Sequence, residues 1–468
     1  MKVQVISKEI IKPSVATPHL RNFKISLLDQ LLPPFYVPIV IYYPASTADN
    51  ESDNHDTREQ SSKSELLKKS LSEILTHFYP MAGKVKDNIL IDCNNEGVEF
   101  IEAKVDGVMS DFMSAEAVHQ LHPIHIMLDD VVKDAQLAIQ VNSFDCGGIA
   151  ISISTSHKII DGCTAVTFIR SWAATTRGAP KHEILYPTFD SADIFPALPP
   201  EVQVSSLESD DSIQGENVVT KVFLFTAPKI AALRARIVEF RSSNVLSKYP
   251  TRTEVLSALI WRSFIKTSRV KASCKLTHSD ASTKPIIIRS LTNYAVNLRT
   301  RLNPPLPQVS FGNIIMDATA ESTTTIDHEE ATPGFIETLD ELIGQLRLGV
   351  SKIDGEYIRK LQEGDVEFLK SLDEASHHSN GQDGDENDEK VLICWLNSLC
   401  RFPFYETDFG WGKPSWIALN TNAEYKNSLF LIDTKCGTGV EAWVSLEEED
   451  MAIFEKDQDL LEYAKTIN

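Results

Sequence analysis

The chain is poor in cysteine, with 7 in 468 residues and no two of them spaced as Cys-x-x-Cys. That excludes a disulfide framework or a zinc knuckle written in the sequence, and it fits reduced thiols in the cytosol. Positive charge is also short: 45 Lys and Arg face 66 Asp and Glu, a net charge of −21. Such a balance disfavours nucleic acid and anionic membrane as partners. No apolar run approaches a membrane span, and the opening MKVQVISKEIIKP carries no secretory h-region. A soluble, cytoplasmic protein is expected. Absent as well are the G-x-S-x-G elbow, the P-loop, H-E-x-x-H and a complete G-x-G-x-x-G. No metal site is expected either. His119, His122 and His125 are three apart in HQLHPIH, but Pro123 breaks any helix that would put them on one face.

What is present is an ordinary globular composition, 42% hydrophobic, in a chain too long for one core. The first half alternates strand and helix signals. VPIVIYYPA reads as a buried strand, TADNESDNHDTREQSSKS as a polar loop, and SELLKKSLSEILTHFYPMAG as a helix with Leu67, Leu71, Ile74, Leu75 and Phe78 on one face. AQLAIQVNSFDCGGIAISIS reads as two strands around a turn, and TAVTFIRSWAATT as a helix. Pro196 to Asn217 is rich in Pro, Ser and Asp without periodicity, so a linker is placed at 201–217 between domains 1–200 and 218–468. The second half opens with the strand VVTKVFLFT and the helix IAALRARIVEFR. TRTEVLSALIWRSFI follows, with Thr251 and Glu254 spaced as a capping box. SLESDD, GQDGDENDE and TSRVKASCK read as solvated loops. The fold class expected is α/β with mixed α+β sheets, in two similar domains.

One stretch carries chemistry. In ISTSHKIIDGC, alternation puts Ile149, Ile151, Ile153, Thr155 and His157 on one strand face, with His157 last. Asp161 and Gly162 then suit a turn and helix start. A core histidine followed by a capping aspartate fits this spacing. That plain reading wins for such a motif alone, while a general base is the sharper one, since neutral imidazole accepts a proton near neutral pH. Spacing alone does not decide.

Two further segments do. DFGWGKP (Asp408 to Pro414) and NYAVNLRTRLNPPLPQVSFGN (Asn293 to Asn313), with HKIIDG before them, resemble the BAHD acyl-CoA-dependent acyltransferases of plants. The resemblance spans essentially the whole chain, through THFYPMAGK, TRTEVLSALIW and GVEAWVSLEEEDM, and is nearest the alkaloid-acetylating branch. It implies two chloramphenicol-acetyltransferase-like domains with a solvent channel between them. It also implies His157 as the base in that channel, with acetyl-CoA or another acyl-CoA as co-substrate and no permanently bound cofactor. A small-molecule acceptor and a monomeric state are implied too. Asp161 would pair with Arg299 rather than join a triad. Asp408, Gly410 and Gly412 would be structural. Transfer would be direct, without an acyl-enzyme.

The helix start at Thr251, Arg252 and Thr253 suits CoA phosphates, because free N–H groups and the dipole favour anions. Simple capping is the other reading of the same residues. SLLDQ and the loop from Phe311 to Asn313 would border the channel. Two departures stand out. The family's usual tryptophan two residues before the arginine that precedes DFGWG is Leu399 here, and leucine cannot donate to an oxyanion. Thr438 stands where an aspartate is usual. Other acyl donors, an amine acceptor, or a ligand-binding or eliminating member of the fold remain alternatives.

Overall fold

The computed structural model describes residues 2–32, 34–45, 56–123, 135–199, 202, 217–241, 249–276, 286–326, 334–379, 389–419 and 426–467. Of the three histidines in HQLHPIH, His125 lies outside these residues, as does most of the expected linker 201–217 and all but the last residue of GQDGDENDE.

The strands that shape the molecule run in chain order as β1 (Lys2–Ile11), β2 (Tyr36–Tyr43), β3 (Val98–Asp106), β4 (Leu137–Phe144), β5 (Ile149–Ser156), β6 (Val218–Phe225), β7 (Ile286–Asn297), β8 (Ile315–Ile326), β9 (Glu389–Ser398), β10 (Trp416–Leu419), β11 (Ser428–Asp433), β12 (Val440–Glu447) and β13 (Ala464–Ile467). Six of them form a first sheet in the order β1-β3-β4-β5-β2-β10, and seven a second in the order β8-β7-β9-β11-β12-β6-β13. Both sheets mix parallel and antiparallel neighbours: β3 runs parallel to β4, and β7 parallel to β9, while most other pairs are antiparallel. This is the expected mixed α/β architecture.

Helices α1 (Leu27–Gln30), α2 (Asp56–Ile74), α3 (Gly162–Thr176), α4 (Ala227–Arg241), α5 (Arg252–Leu276) and α6 (Phe335–Lys352) cover these sheets. The apolar stripe of α2 packs as read, with Leu67, Leu71, Ile74, Leu75 and Phe78 all buried in the same core as α3 and the first sheet. The second core gathers Val255, Leu259 and Trp261 of α5 with Leu429, Leu431, Ala442 and Val444 of the second sheet.

Three local expectations are corrected. The polar stretch before Ser64 is helical from Asp56, because Arg, Glu, Gln and Lys propagate a helix that no apolar stripe announces. TSRVKASCK belongs to α5 rather than to a loop, and Lys271 of that segment is drawn onto Asp450 at 2.7 Å. Lastly, β5 is buried along its full length instead of on one face.

The first sheet is completed at one edge by β10. It follows DFGWG in the second half of the chain, yet it pairs antiparallel with β2 of the first sheet, Trp416 opposite Tyr42 and Leu419 opposite Ile39. Trp416 then stacks on Trp443 of β12, ring centroids 5.5 Å apart, and donates to the buried Glu441 at 3.1 Å. The two sheets are joined here through side chains as well as through the backbone.

Candidate active site

Where β5 stops, His157 leaves the strand with its N–H donating to Phe35 O at 2.7 Å and its carbonyl accepting from Asn313 Nδ2 at 2.7 Å. The backbone of the residue is therefore pinned on both sides. Its ring lies 5.2 Å from that of Phe35. The side chain is half-buried, with Nδ1 inside the protein. Burial pushes the imidazole pKa below its ordinary value of 6.5, opposed by its own carbonyl, by Asp161 and by Asn313. The ring is neutral at neutral pH, the state a proton acceptor needs.

Four residues on, Asp161 begins α3. Its Oδ1 accepts from Thr164 N at 2.8 Å, the N-cap bond that the Asp-Gly pair predicts. The carboxylate does more than cap. It receives Arg299 Nη1 at 2.6 Å and Nη2 at 3.2 Å, and Ile314 N at 3.2 Å, with both side chains of the ion pair essentially fully buried. Arg299 spends its other N–H groups on Ser310 O and Gly312 O. A buried pair of charges is tolerated when every lone pair and N–H has a partner, as here. This network ties the turn after His157 to the loop that follows Arg299.

That loop also delivers Asn313. Gly312 adopts φ 116°, and a Cβ there would lie 2.9 Å from Ser191 Oγ, so only glycine makes this bend without strain. Asn313 N and Nδ2 donate to Asp29 Oδ1 at 2.9 and 3.1 Å. Asp29 is the capping-box residue of α1, bonded to Ser26 N and Oγ, and is wholly buried. Lys158, next to His157, turns away and donates to Gln30 O and Leu32 O at 3.1 and 2.6 Å. Burial lowers its pKa to about 8, opposed by Asp29. Sequence reading named the SLLDQ segment and the Phe311 to Asn313 loop. It did not name these contacts, since nothing in either segment alone points to the other.

Cys163 is the thiol nearest this turn. It donates to Gln308 Oε1 at 3.2 Å and accepts from Asn297 Nδ2 at 3.3 Å. Burial drives its pKa up to about 12, with Asp161 adding to the effect. A thiol held protonated in this way is no nucleophile. Leu399 comes within 3.4 Å of a Cβ built on Gly162, so the family's tryptophan position does border the start of α3.

Asp408, Gly410 and Gly412 lie elsewhere. Asp408 Oδ1 accepts from Gly410 N at 2.8 Å and Gly412 N at 3.0 Å, which closes the turn on itself at two positive-φ glycines. Phe409 packs edge-on against Trp172 of α3 and Tyr43 of β2, and Arg177, just past α3, donates to Asp408 O. With about 1.5 Å rise per residue, that end of α3 is roughly 20 Å from the end beside His157. Thr251, Arg252 and Thr253 are also apart from the histidine turn. Thr251 and Glu254 form the capping box at 2.7 and 3.2 Å. Arg252 is paired with Asp433 at 2.5 Å and donates to Gly437 O at 3.1 Å. No helix among the described residues is long and apolar enough to cross a membrane.

Comparison with known proteins gives this geometry its context. The model of the Transferase family matches residues 1–461. Salutaridinol 7-O-acetyltransferase of Papaver somniferum is 38% identical over 491 residues, covering 97% of this chain and 96% of that protein. The crystal structure of vinorine synthase superposes with a TM-score of 0.73 at 33% identity, covering 99% of each chain. F. sporotrichioides TRI101 complexed with Coenzyme A and T-2 shares the fold at a TM-score of 0.67 and 19% identity, covering 96% of this chain and all of that one. The chain belongs to the Transferase family, the BAHD acyltransferases, and is an acyl-CoA-dependent O-acyltransferase.

Proposed function

We propose that this enzyme transfers the acetyl group of acetyl-CoA to a hydroxyl of an alkaloid or related specialised metabolite, with His157 as general base. One observation carries the reading. A neutral imidazole stands at the end of a buried strand, with its backbone hydrogen-bonded on both sides and the following turn locked by Asp161 and Arg299. The salutaridinol enzyme supports the acceptor class and the acetyl donor.

The chemistry follows from the residues. His157 takes the proton of the acceptor hydroxyl as its oxygen attacks the thioester carbonyl. The tetrahedral intermediate collapses, the C–S bond breaks, and CoA thiolate leaves with the proton returned by the imidazolium. The protonated state of Cys163 supports direct transfer over an acyl-enzyme. General-base assistance supplies about 10²–10⁴-fold of the rate, with positioning supplying much of the rest. Asp161 and Arg299 act as scaffold, and Asp408 with Gly410 and Gly412 as a remote clamp on α3 and β2. The N-terminus of α5, at Thr251 to Thr253, is assigned to the CoA phosphates, with Arg252 exchanging part of its contact to Asp433 for a phosphate. In the same reading residues 1–200 and 218–468 are the two domains, β10 being lent to the first. The enzyme works as a cytoplasmic monomer, with acceptor and acyl-CoA meeting in a channel at His157.

The test is thiol release from acetyl-CoA against a panel of hydroxylated alkaloids, for the natural protein and His157→Ala in parallel. Release that needs both the alkaloid and His157 is expected. Conversion of an alkaloid without CoA, or undiminished release by His157→Ala, would overturn the reading.

A further inference from the structure

One face of the second sheet is open in its middle. The strand registers place Ala295 of β7 opposite Asp317 of β8, and Asn293 of β7 opposite Trp395 of β9. Side chains alternate along each strand, so these four share a face with Asn297 and Thr319. Thr319 Oγ1 donates to Asn293 Oδ1 on that face at 2.7 Å. Ala320, of the opposite face, is buried in one core with Leu342 and Leu346 of α6. The shared face therefore looks away from that helix. Ala295 is exposed although β7 has a strand on each side. It forms the floor of a recess.

Asp317 borders this recess without a partner. Among the described residues its carboxylate has neither a hydrogen bond nor an ion pair, and burial lifts its pKa to about 6 with nothing opposing the rise. At neutral pH it is still mostly ionised. Tyr357 is near enough for Asp317 to hold its phenol further in the protonated state, yet the two are not bonded. Carboxylates taken out of water are ordinarily paired, so one left unpaired beside open space is complementary to a cation. Trp395 is half-buried, and its Nε1 lies inside the protein, so apolar ring is what it offers the recess. Two strand spacings and two residues separate it from Asp317, about 12 Å between Cα atoms.

The recess adjoins the histidine turn. Asn297, next after Ala295 on the same face, donates to Cys163 Sγ in the first turn of α3 at 3.3 Å. On β8, Asp317 is four residues past Asn313, whose amide holds the His157 carbonyl, a span of no more than about 14 Å. We infer that Asp317 and Trp395 form a subsite for a protonated amine on the acceptor, the carboxylate pairing with the ammonium and the indole packing on its carbon substituents. The subsite selects alcohols that carry a charged amine at the far end of the ring system from the reacting hydroxyl. A neutral alcohol of the same shape leaves the carboxylate unpaired, and that difference is the source of the selectivity. The inference rests on the reading of the acceptor as an alkaloid.

The test is binding rather than turnover. The probes are codeine, whose tertiary amine is protonated at neutral pH, and N-formylnorcodeine, which keeps the skeleton and the hydroxyl without the charge. Equilibrium dialysis in the absence of acyl-CoA should show codeine bound about 10–100-fold more tightly by the natural enzyme. Asp317→Asn should bind the two alike, and Trp395→Leu should weaken codeine about 3–10-fold. Asp317→Asn gives up no bond of the free protein, so its Tm should not fall, which separates lost recognition from lost folding. Equal binding of the two probes by the natural enzyme, weak or tight, would overturn the inference. So would a preference for codeine that survives Asp317→Asn. With no acyl donor present, failure of acetyl transfer leaves this result readable. Acetyl transfer with the preference intact in Asp317→Asn sinks the subsite alone.

Discussion

Arg299 meets Asp161 with two N–H···O contacts, 2.6 and 3.2 Å, in a place where neither side chain touches solvent. The pair spans 138 residues of sequence and joins the turn after His157 to the loop that carries Asn313. Removing one partner leaves the other charged and buried, which costs about 3–5 kcal/mol. Arg299→Ala should therefore lower the urea midpoint sharply, while Arg299→Lys, losing the fork geometry, should fall between it and wild type. Equal stability of all three proteins would contradict this account.

The His157 pKa gives a pH signature. A base must be neutral, so kcat/KM should hold from pH 8 down past 6.5 and fall only at more acid pH, because burial lowers the imidazole below 6.5. Asp161 opposes that lowering. In Asp161→Asn the acid limb should move further down, and kcat/KM profiles of both proteins measure it. A limb centred above 6.5 would place another group in control.

Leu399 offers a gain rather than a loss. It sits beside Gly162 at the start of α3 and is half-buried. Leu399→Trp puts an indole N–H where the family resemblance leads one to expect it. A single oxyanion donor is worth about 10²–10³-fold elsewhere, and a donor retrofitted into a leucine-shaped site should recover part of that, about tenfold in kcat. Unchanged kcat in a folded variant would show that the oxyanion is already served by another group.

Glu441 should make the contact between the sheets pH-sensitive. Burial raises its pKa from 4.5 to about 7, with the indole N–H groups of Trp416 and Trp443 opposing the rise. A folded-state pKa above the unfolded one contributes stability that is complete below pH 4.5 and is lost as pH climbs through 7. The loss is on the order of 3 kcal/mol. Glu441→Gln keeps an acceptor for Trp416 and removes the titration. Its Tm should be flat from pH 5 to 8, and above that of wild type at pH 8. Parallel Tm curves would disprove the assignment.

Much of the site was legible because its signals are local. Alternation brought His157 to the end of β5, and Asp-Gly marked the cap at Asp161. The Thr251–Glu254 box was equally local, whereas Asp408, Gly410 and Gly412 came only with the family resemblance. The Asp161 to Arg299 pair was legible only through family resemblance, since no rule of spacing links residues so distant. Asp29 was hidden for a related reason. Within Ser26–Asp29 it reads as a complete capping box, and its second task appears only when the loop at Gly312 folds over it. The helix from Asp56 escaped because surface helices without a stripe leave no periodic trace. That β10 would cross to the other sheet was not readable from WIAL at all.

That crossing has a consequence for synthesis. β2 is an apolar strand, and until β10 arrives its outer edge offers unpaired N–H and C=O groups to any passing chain. At about 5–20 residues per second, Trp416 leaves the ribosome tens of seconds after Tyr43. The first sheet thus waits for Trp416–Leu419 to be finished. For that interval the nascent chain carries an open strand edge that its completed fold no longer shows.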